Sequence, residues 1–278
     1  MRFSLCNEVL REWPFERQCA YTAALGYAGL EVAPFTLADD PTRIPAREAA
    51  RLKAVAADHG LVVTGLHWLL VAPAGLSITD PDPIVAGRTR DAMLALVELC
   101  AALGGSVLVH GSPQQRKLPE TGADRARATA LAHFATAGEA AAAAGVTYCI
   151  EPLSPEETGF INTVAEAAAM VEAAGTPGLA TMLDTAAAAA GEAEPAAAVL
   201  DQWLPTGRIA HVQLNDRNRR GPGQGGDRFG PVLAALQHHG WDRPVAIEPF
   251  VYLPDAPATA AASIAYLRGV LDGLEGRT

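Results

Sequence analysis

Short apolar runs alternate with longer segments whose apolar positions recur every three or four residues. The runs are RFSLC (2–6), GLEVA (29–33), LVVTGLH (61–67), SVLVH (106–110), VTYCI (146–150), LATML (179–183), RIAHVQL (208–214) and PVAIE (244–248). Their length and their enrichment in β-branched and aromatic residues predict eight strands. Between them, PAREAARLKAVAADHG, TRDAMLALVELCAALGG and DRARATALAHFATAGEAAAAAG carry a helical period and stop at glycine, a helix C-terminal signal. DAPATAAASIAYLRGVLDGL continues the habit after the last strand. The alanine-rich run at 185–200 reads as a loop and a short helix.

Eight strand–helix units of this length predict an α/β protein with a (β/α)8 TIM-barrel architecture, one domain over residues 1–278. No interior Pro-, Gly- or Ser-rich linker suggests a boundary. An open doubly wound sheet would need a glycine-rich phosphate turn after an early strand, and CNEVLREW is nothing of that kind.

Composition narrows the function. Half of the residues are hydrophobic and 19% are charged, which suits a globular chain with a sizeable core. The formal charge of −10, with no dense basic stretch, argues against a nucleic-acid surface. Cys6, Cys19, Cys100 and Cys149 are scattered without a CxxC pair, as expected of reduced, buried thiols. No run approaches a membrane span and the N-terminus lacks a long apolar leader core, so a cytoplasmic protein is expected.

The chemistry stands at the strand ends. Asn7 and Glu8, Glu31, His67, His110, Glu151, Asp184, Gln213 and Glu248 sit at or just past successive strands. In a (β/α)8 barrel these ends meet on the catalytic face. Glu151 and Glu248 each close an apolar run and precede proline, which holds the carboxylate residue in extended geometry. Two buried glutamates and Asp184 in one cavity would repel strongly without a cation among them. Three carboxylates and the Gln213 amide oxygen form an all-oxygen set suited to one divalent cation, Mn2+ first, with Mg2+ or Co2+ as alternatives. His211 shares the facing of Gln213 and is an alternative ligand. His67 and His110 are candidate substrate-binding or supporting groups, and Trp68 is a candidate pocket wall.

CIEPL, TMLDT, HVQLNDRNRRGPGQG and VAIEPF, in that order, resemble the xylose-isomerase-like TIM-barrel superfamily. The resemblance is strongest to ketose 3-epimerases of the tagatose/psicose type and to hydroxypyruvate isomerases. It implies a metal held by Glu151, Asp184, Gln213 and Glu248, with Glu151 and Glu248 as the catalytic acid/base pair. It also implies substrate contacts from Glu157 and Arg219, a small sugar substrate and a possible homo-oligomer. The activity it implies is isomerisation or epimerisation of a small ketose through a metal-stabilised enediolate.

Two positions depart from the epimerase pattern. Gln213 stands where sugar epimerases carry histidine and hydroxypyruvate isomerases carry glutamine, and Ala187 stands where epimerases carry a substrate-binding histidine. An inosose-dehydratase-like lyase or a catalytically silent sugar-binding barrel are the alternatives. An endonuclease-IV-like repair enzyme would need a histidine-rich multi-zinc site and a basic face, against seven histidines and a net −10 here.

Overall fold

The structure, a computed structural model, describes residues 1–276. Its strands are β1 (Phe3–Cys6), β2 (Gly29–Val32), β3 (Val62–Leu66), β4 (Val107–His110), β5 (Thr147–Ile150), β6 (Leu179–Asp184), β7 (Ile209–Leu214) and β8 (Val245–Ile247). They close into a parallel barrel in chain order, with β8 pairing back onto β1. The helices are α1 (Phe15–Ala24), α2 (Ala46–Asp58), α3 (Pro83–Leu103), α4 (Ala123–Ala144), α5 (Val164–Ala174), α6 (Thr185–Gly191), α7 (Ala196–Trp203), α8 (Gly230–His238) and α9 (Ala256–Glu275).

Local chemistry sets the helix ends. Asp82, Thr163 and Asp255 cap α3, α5 and α9 by accepting from Ile84, Glu166 and Ala258 backbone N–H groups at 2.8, 3.1 and 2.7 Å. Gly145 terminates α4 at φ 70°, a left-handed conformation that a residue with a Cβ adopts at a cost. The run at 185–200 departs from expectation by forming two short helices, α6 and α7. Asp184 caps the first, and Pro195 precedes the second, where its fixed φ suits a helix start.

Strand alternation divides the core in two. Leu5, Leu30, Leu66, Leu108, Tyr148, Ile150, Val212 and Ile247 face the helices in one continuous apolar cluster. Val107, Val109, Cys149, Ala180, Met182 and Ala210 form a separate small cluster, which plugs the barrel interior. Above that plug the inward positions turn polar. Register shifts at Leu30/Glu31 and at Thr181/Met182 fall in the strands that carry Glu31 and Asp184, where a bulge re-aims the side chains that follow. All four cysteines are free and buried. Among the described residues, no helix is long and apolar enough to cross a membrane.

Candidate metal and active site

The C-terminal ends of β5, β6 and β8 deliver Glu151, Asp184 and Glu248 to one point. One carboxylate oxygen from each lies within 4.8 Å of the others, and all three residues are buried. They line a cavity of about 280 Å³ with Trp68, Glu157, Asn215, Arg219 and Phe250. A larger cavity of about 450 Å³, bounded by Arg2, Thr147 and Arg243, opens at the other end of the barrel, away from this cluster.

The electrostatics are those of a site short of positive charge. Burial, then the charge of Asp184, hold the Glu151 carboxyl well above the usual carboxylate range. Burial, then Glu151 and Glu8, do the same to Glu248. Asp184 is pushed up to about 7, chiefly by burial, although the Ala187 and Ala186 N–H groups pull it down. Its Oδ1 accepts from Ala187 at 2.7 Å, while Oδ2 is buried without a partner among the described residues.

Gln213 is fully buried next to Asp184 in the β6–β7 register. Its Nε2 donates to Glu31 Oε1 at 2.7 Å, and its Oε1 has no partner among the described residues. Because a carboxylate only accepts, Glu31 fixes which way the amide points. The residues therefore fit a hard dication: three carboxyls that cannot all ionise unaided, and two orphaned buried oxygens, Asp184 Oδ2 and Gln213 Oε1. Gly111 belongs to the cradle, since a Cβ there would collide with Glu151 Oε2.

Below lies a polar floor. Glu31 Oε2 meets His211 Nε2 at 2.7 Å, and Glu31 Oε1 is 3.8 Å from His67 Nδ1. Burial alone would raise the Glu31 pKa, but His211, His67 and Gln213 outweigh it and leave Glu31 below its ordinary value. His67 Nε2 bonds Glu8 Oε2 at 2.7 Å and lies 3.8 Å from Glu248 Oε1. Burial disfavours the charged imidazole, yet Glu8 and Glu31 raise its pKa.

At the mouth, Trp68 Nε1 donates to Glu248 Oε1 at 3.1 Å. The Arg219 guanidinium stacks 4.6 Å from the Phe250 ring centroid and lies 3.5 Å from Glu157 Oε1. Trp68 (φ 53°) and Arg219 (φ 66°) hold left-handed backbone that non-glycine residues rarely adopt, a strain that concentrates at functional sites.

The expected residues do not all meet in the cavity. Glu151, Asp184, Glu248, Glu157 and Arg219 share the cavity. His67 lies beneath it, wholly buried against Glu8, and is not among the lining residues. His211 lies on the same floor, its Nε2 2.7 Å from Glu31 Oε2.

His110 stands apart from the cavity. Val109 takes the inward position of β4, so His110 faces the helices, bonds Tyr148 Oη through Nδ1 at 2.7 Å and packs edge-on against Phe134. Burial, with Arg116 and His133, holds its pKa well below the ordinary value, and it does not reach the cavity. Sequence reasoning assigned no role to Asn215, whose Nδ2 holds the Glu248 carbonyl at 3.1 Å, or to the fully buried Arg116, whose Nη2 holds the Glu151 carbonyl at 2.7 Å. Each closely follows a barrel strand, and that placement was the available signal.

Comparison with known proteins agrees with this architecture. A ketose 3-epimerase of Arthrobacter globiformis is 26% identical over 238 residues, covering 82% of this chain and 77% of the relative. A D-psicose 3-epimerase of Ruminiclostridium cellulolyticum is 26% identical over 260 residues, covering 91% and 83%. The crystal structure of D-psicose 3-epimerase with D-tagatose from Clostridium cellulolyticum H10 superposes with a TM-score of 0.82 at 21% identity, covering 98% of this chain and 99% of that one. The family profile described as xylose isomerase-like TIM barrel matches residues 19–270. This chain belongs to the xylose isomerase-like TIM-barrel family.

Proposed function

We propose that the protein is a divalent-metal-dependent sugar isomerase/epimerase that moves a proton on the carbon beside a small ketose carbonyl. One observation carries the reading: Glu151, Asp184 and Glu248 are buried with ligand atoms within 4.8 Å of one another, at the barrel face where such folds do chemistry. The relatives named ketose 3-epimerase and D-psicose 3-epimerase support the substrate class.

Glu151, Asp184, Gln213 and Glu248 would hold the cation, Mn2+ in preference to Mg2+ or Co2+. When bound, it supplies the positive charge that acidifies the C–H beside a carbonyl. Glu151 takes that proton on one face of the substrate and Glu248 returns one from the other. Return to the same carbon inverts it; return to its neighbour interconverts ketose and aldose. Trp68 holds Glu248 Oε1 and, with Phe250, walls the substrate from water. Glu157 and Arg219 bind substrate hydroxyls at the mouth. Ala187 replaces the histidine of free-ketohexose epimerases and leaves room there, so the preferred sugar differs from theirs.

The test is solvent exchange. With Mn2+ and a ketose panel in D2O, the wild type incorporates deuterium beside the carbonyl, and Glu151→Gln and Glu248→Gln each abolish incorporation. Wild-type exchange rates in both variants would remove the assigned roles.

A further inference from the structure

Cys6, Glu8, His67 and Glu248 form a second buried cluster whose ligand atoms also lie within 4.8 Å of one another. The topology assembles it. β1 pairs with β8 so that Leu5 sits beside Ile247, which brings Cys6 alongside Glu248 at the next position. Glu8 follows in the 3-10 turn Asn7–Leu10, and His67 lies just past β3. His67 Nε2 is 2.7 Å from Glu8 Oε2 and 3.8 Å from Glu248 Oε1. The second Glu8 oxygen, Oε1, is buried without a partner among the described residues. Among the described residues the Cys6 sulfur makes only long contacts, with Glu31 Oε1 and Gln213 Nε2, each at 3.9 Å, too weak to commit it elsewhere.

The donors differ in kind from those of the first cluster. One sulfur, one imidazole nitrogen and two carboxylates are a borderline-soft set of four, the number and mixture that tetrahedral zinc takes. The first cluster offers oxygen alone. The two share Glu248, whose Oε1 faces His67.

We propose that Cys6, Glu8, His67 and Glu248 constitute a second cation site beneath the first, selective for thiophilic dications such as Zn2+ or Cd2+, and that filling it is inhibitory. A cation there takes the Glu248 oxygen needed for proton return. The inhibitory half rests on the proposed function; the binding half does not.

The binding half is read by absorption spectroscopy of the metal-free full chain titrated with Co2+. Two equivalents bind, and the second brings a thiolate-to-cobalt charge-transfer band in the near ultraviolet. Cys6→Ser loses the band and one equivalent while retaining the other, and Cys6→Ala reads the same should the serine variant fold poorly. A saturated wild type without the band, or a band that survives both substitutions, overturns the site.

For the inhibitory half, Zn2+ is added to the Mn2+-loaded protein during deuterium exchange. The wild type is inhibited at a concentration at least tenfold below that needed for Cys6→Ser. Equal sensitivity overturns the inhibition, and absence of any exchange in the Zn2+-free wild type counts against the proposed function while leaving the cobalt result to decide the site.

Discussion

Glu31 orients Gln213: Nε2 donates to Glu31 Oε1 at 2.7 Å, and the amide oxygen on the other side is left free. The same carboxylate holds His211 at 2.7 Å through its other oxygen. One buried glutamate thus arranges two neighbours without lining the cavity. Partners that hold a ligand in its binding orientation matter nearly as much as the ligand itself.

Glu31→Ala therefore lowers Mn2+ affinity by about 10- to 100-fold. It also leaves a buried imidazole and amide unpaired, which costs roughly 1–3 kcal/mol of stability for each lost partner. Calorimetric titration and thermal melts check both. Unchanged affinity would make Glu31 a packing residue only.

Gly111→Ala acts by displacement. The new Cβ collides with Glu151 Oε2, so the carboxylate must swing out of the cluster. Exchange activity falls by about 100-fold, the scale set by a misplacement of around 1 Å. Exchange rates and melting temperature, measured together, separate a displaced Glu151 from a misfolded barrel.

Metal-free protein has a characteristic pH response. Burial raises the pKa of Asp184 to about 7, and Glu151 and Glu248 are shifted upward as well. The folded state thus binds these protons more tightly than the unfolded chain, so stability is greatest below the unfolded values near 4 and falls as pH rises through about 7. Glu31, shifted downward, works in the opposite sense at the acid end. In chelator, the melting temperature drops between pH 5 and 8, and saturating Mn2+ removes that drop. A melting temperature that climbs over this range in chelator contradicts the assignment.

Arg219→Ala separates substrate binding from folding. The guanidinium is half-exposed, stacked on Phe250 and only loosely paired with Glu157. Its loss raises KM about tenfold or more and moves the melting temperature little, because exposed ion pairs contribute at most about 1 kcal/mol. Steady-state kinetics on the ketose that exchanges best provides the reading.

The barrel was legible because period-two runs and period-3.6 segments alternate without interruption; every expected strand forms, with ends displaced by at most one residue. The carboxylate cluster was legible for a related reason, as Glu151 and Glu248 each occupy the inward position directly after an apolar strand. Parity separates strand-end residues that look alike in the sequence. His110 ends its strand as Glu151 does, but Val109 has already taken the inward position. The role of Glu31 could not be read, because it depends on a register shift between β2 and β3 that the pattern does not reveal. Arg116 escaped notice because its meaning lies in burial, and a short polar stretch after β4 looks like solvated loop.

On the proposed function, Glu151, Asp184, Gln213 and Glu248 share one hard dication. Crystals grown with Mn2+ and measured at the manganese absorption edge test it most directly. A strong anomalous peak within coordination distance of all four side chains, including Gln213 Oε1, is the expected result. No peak there, or one that these oxygens do not surround, would remove the shared dication and the chemistry built on it.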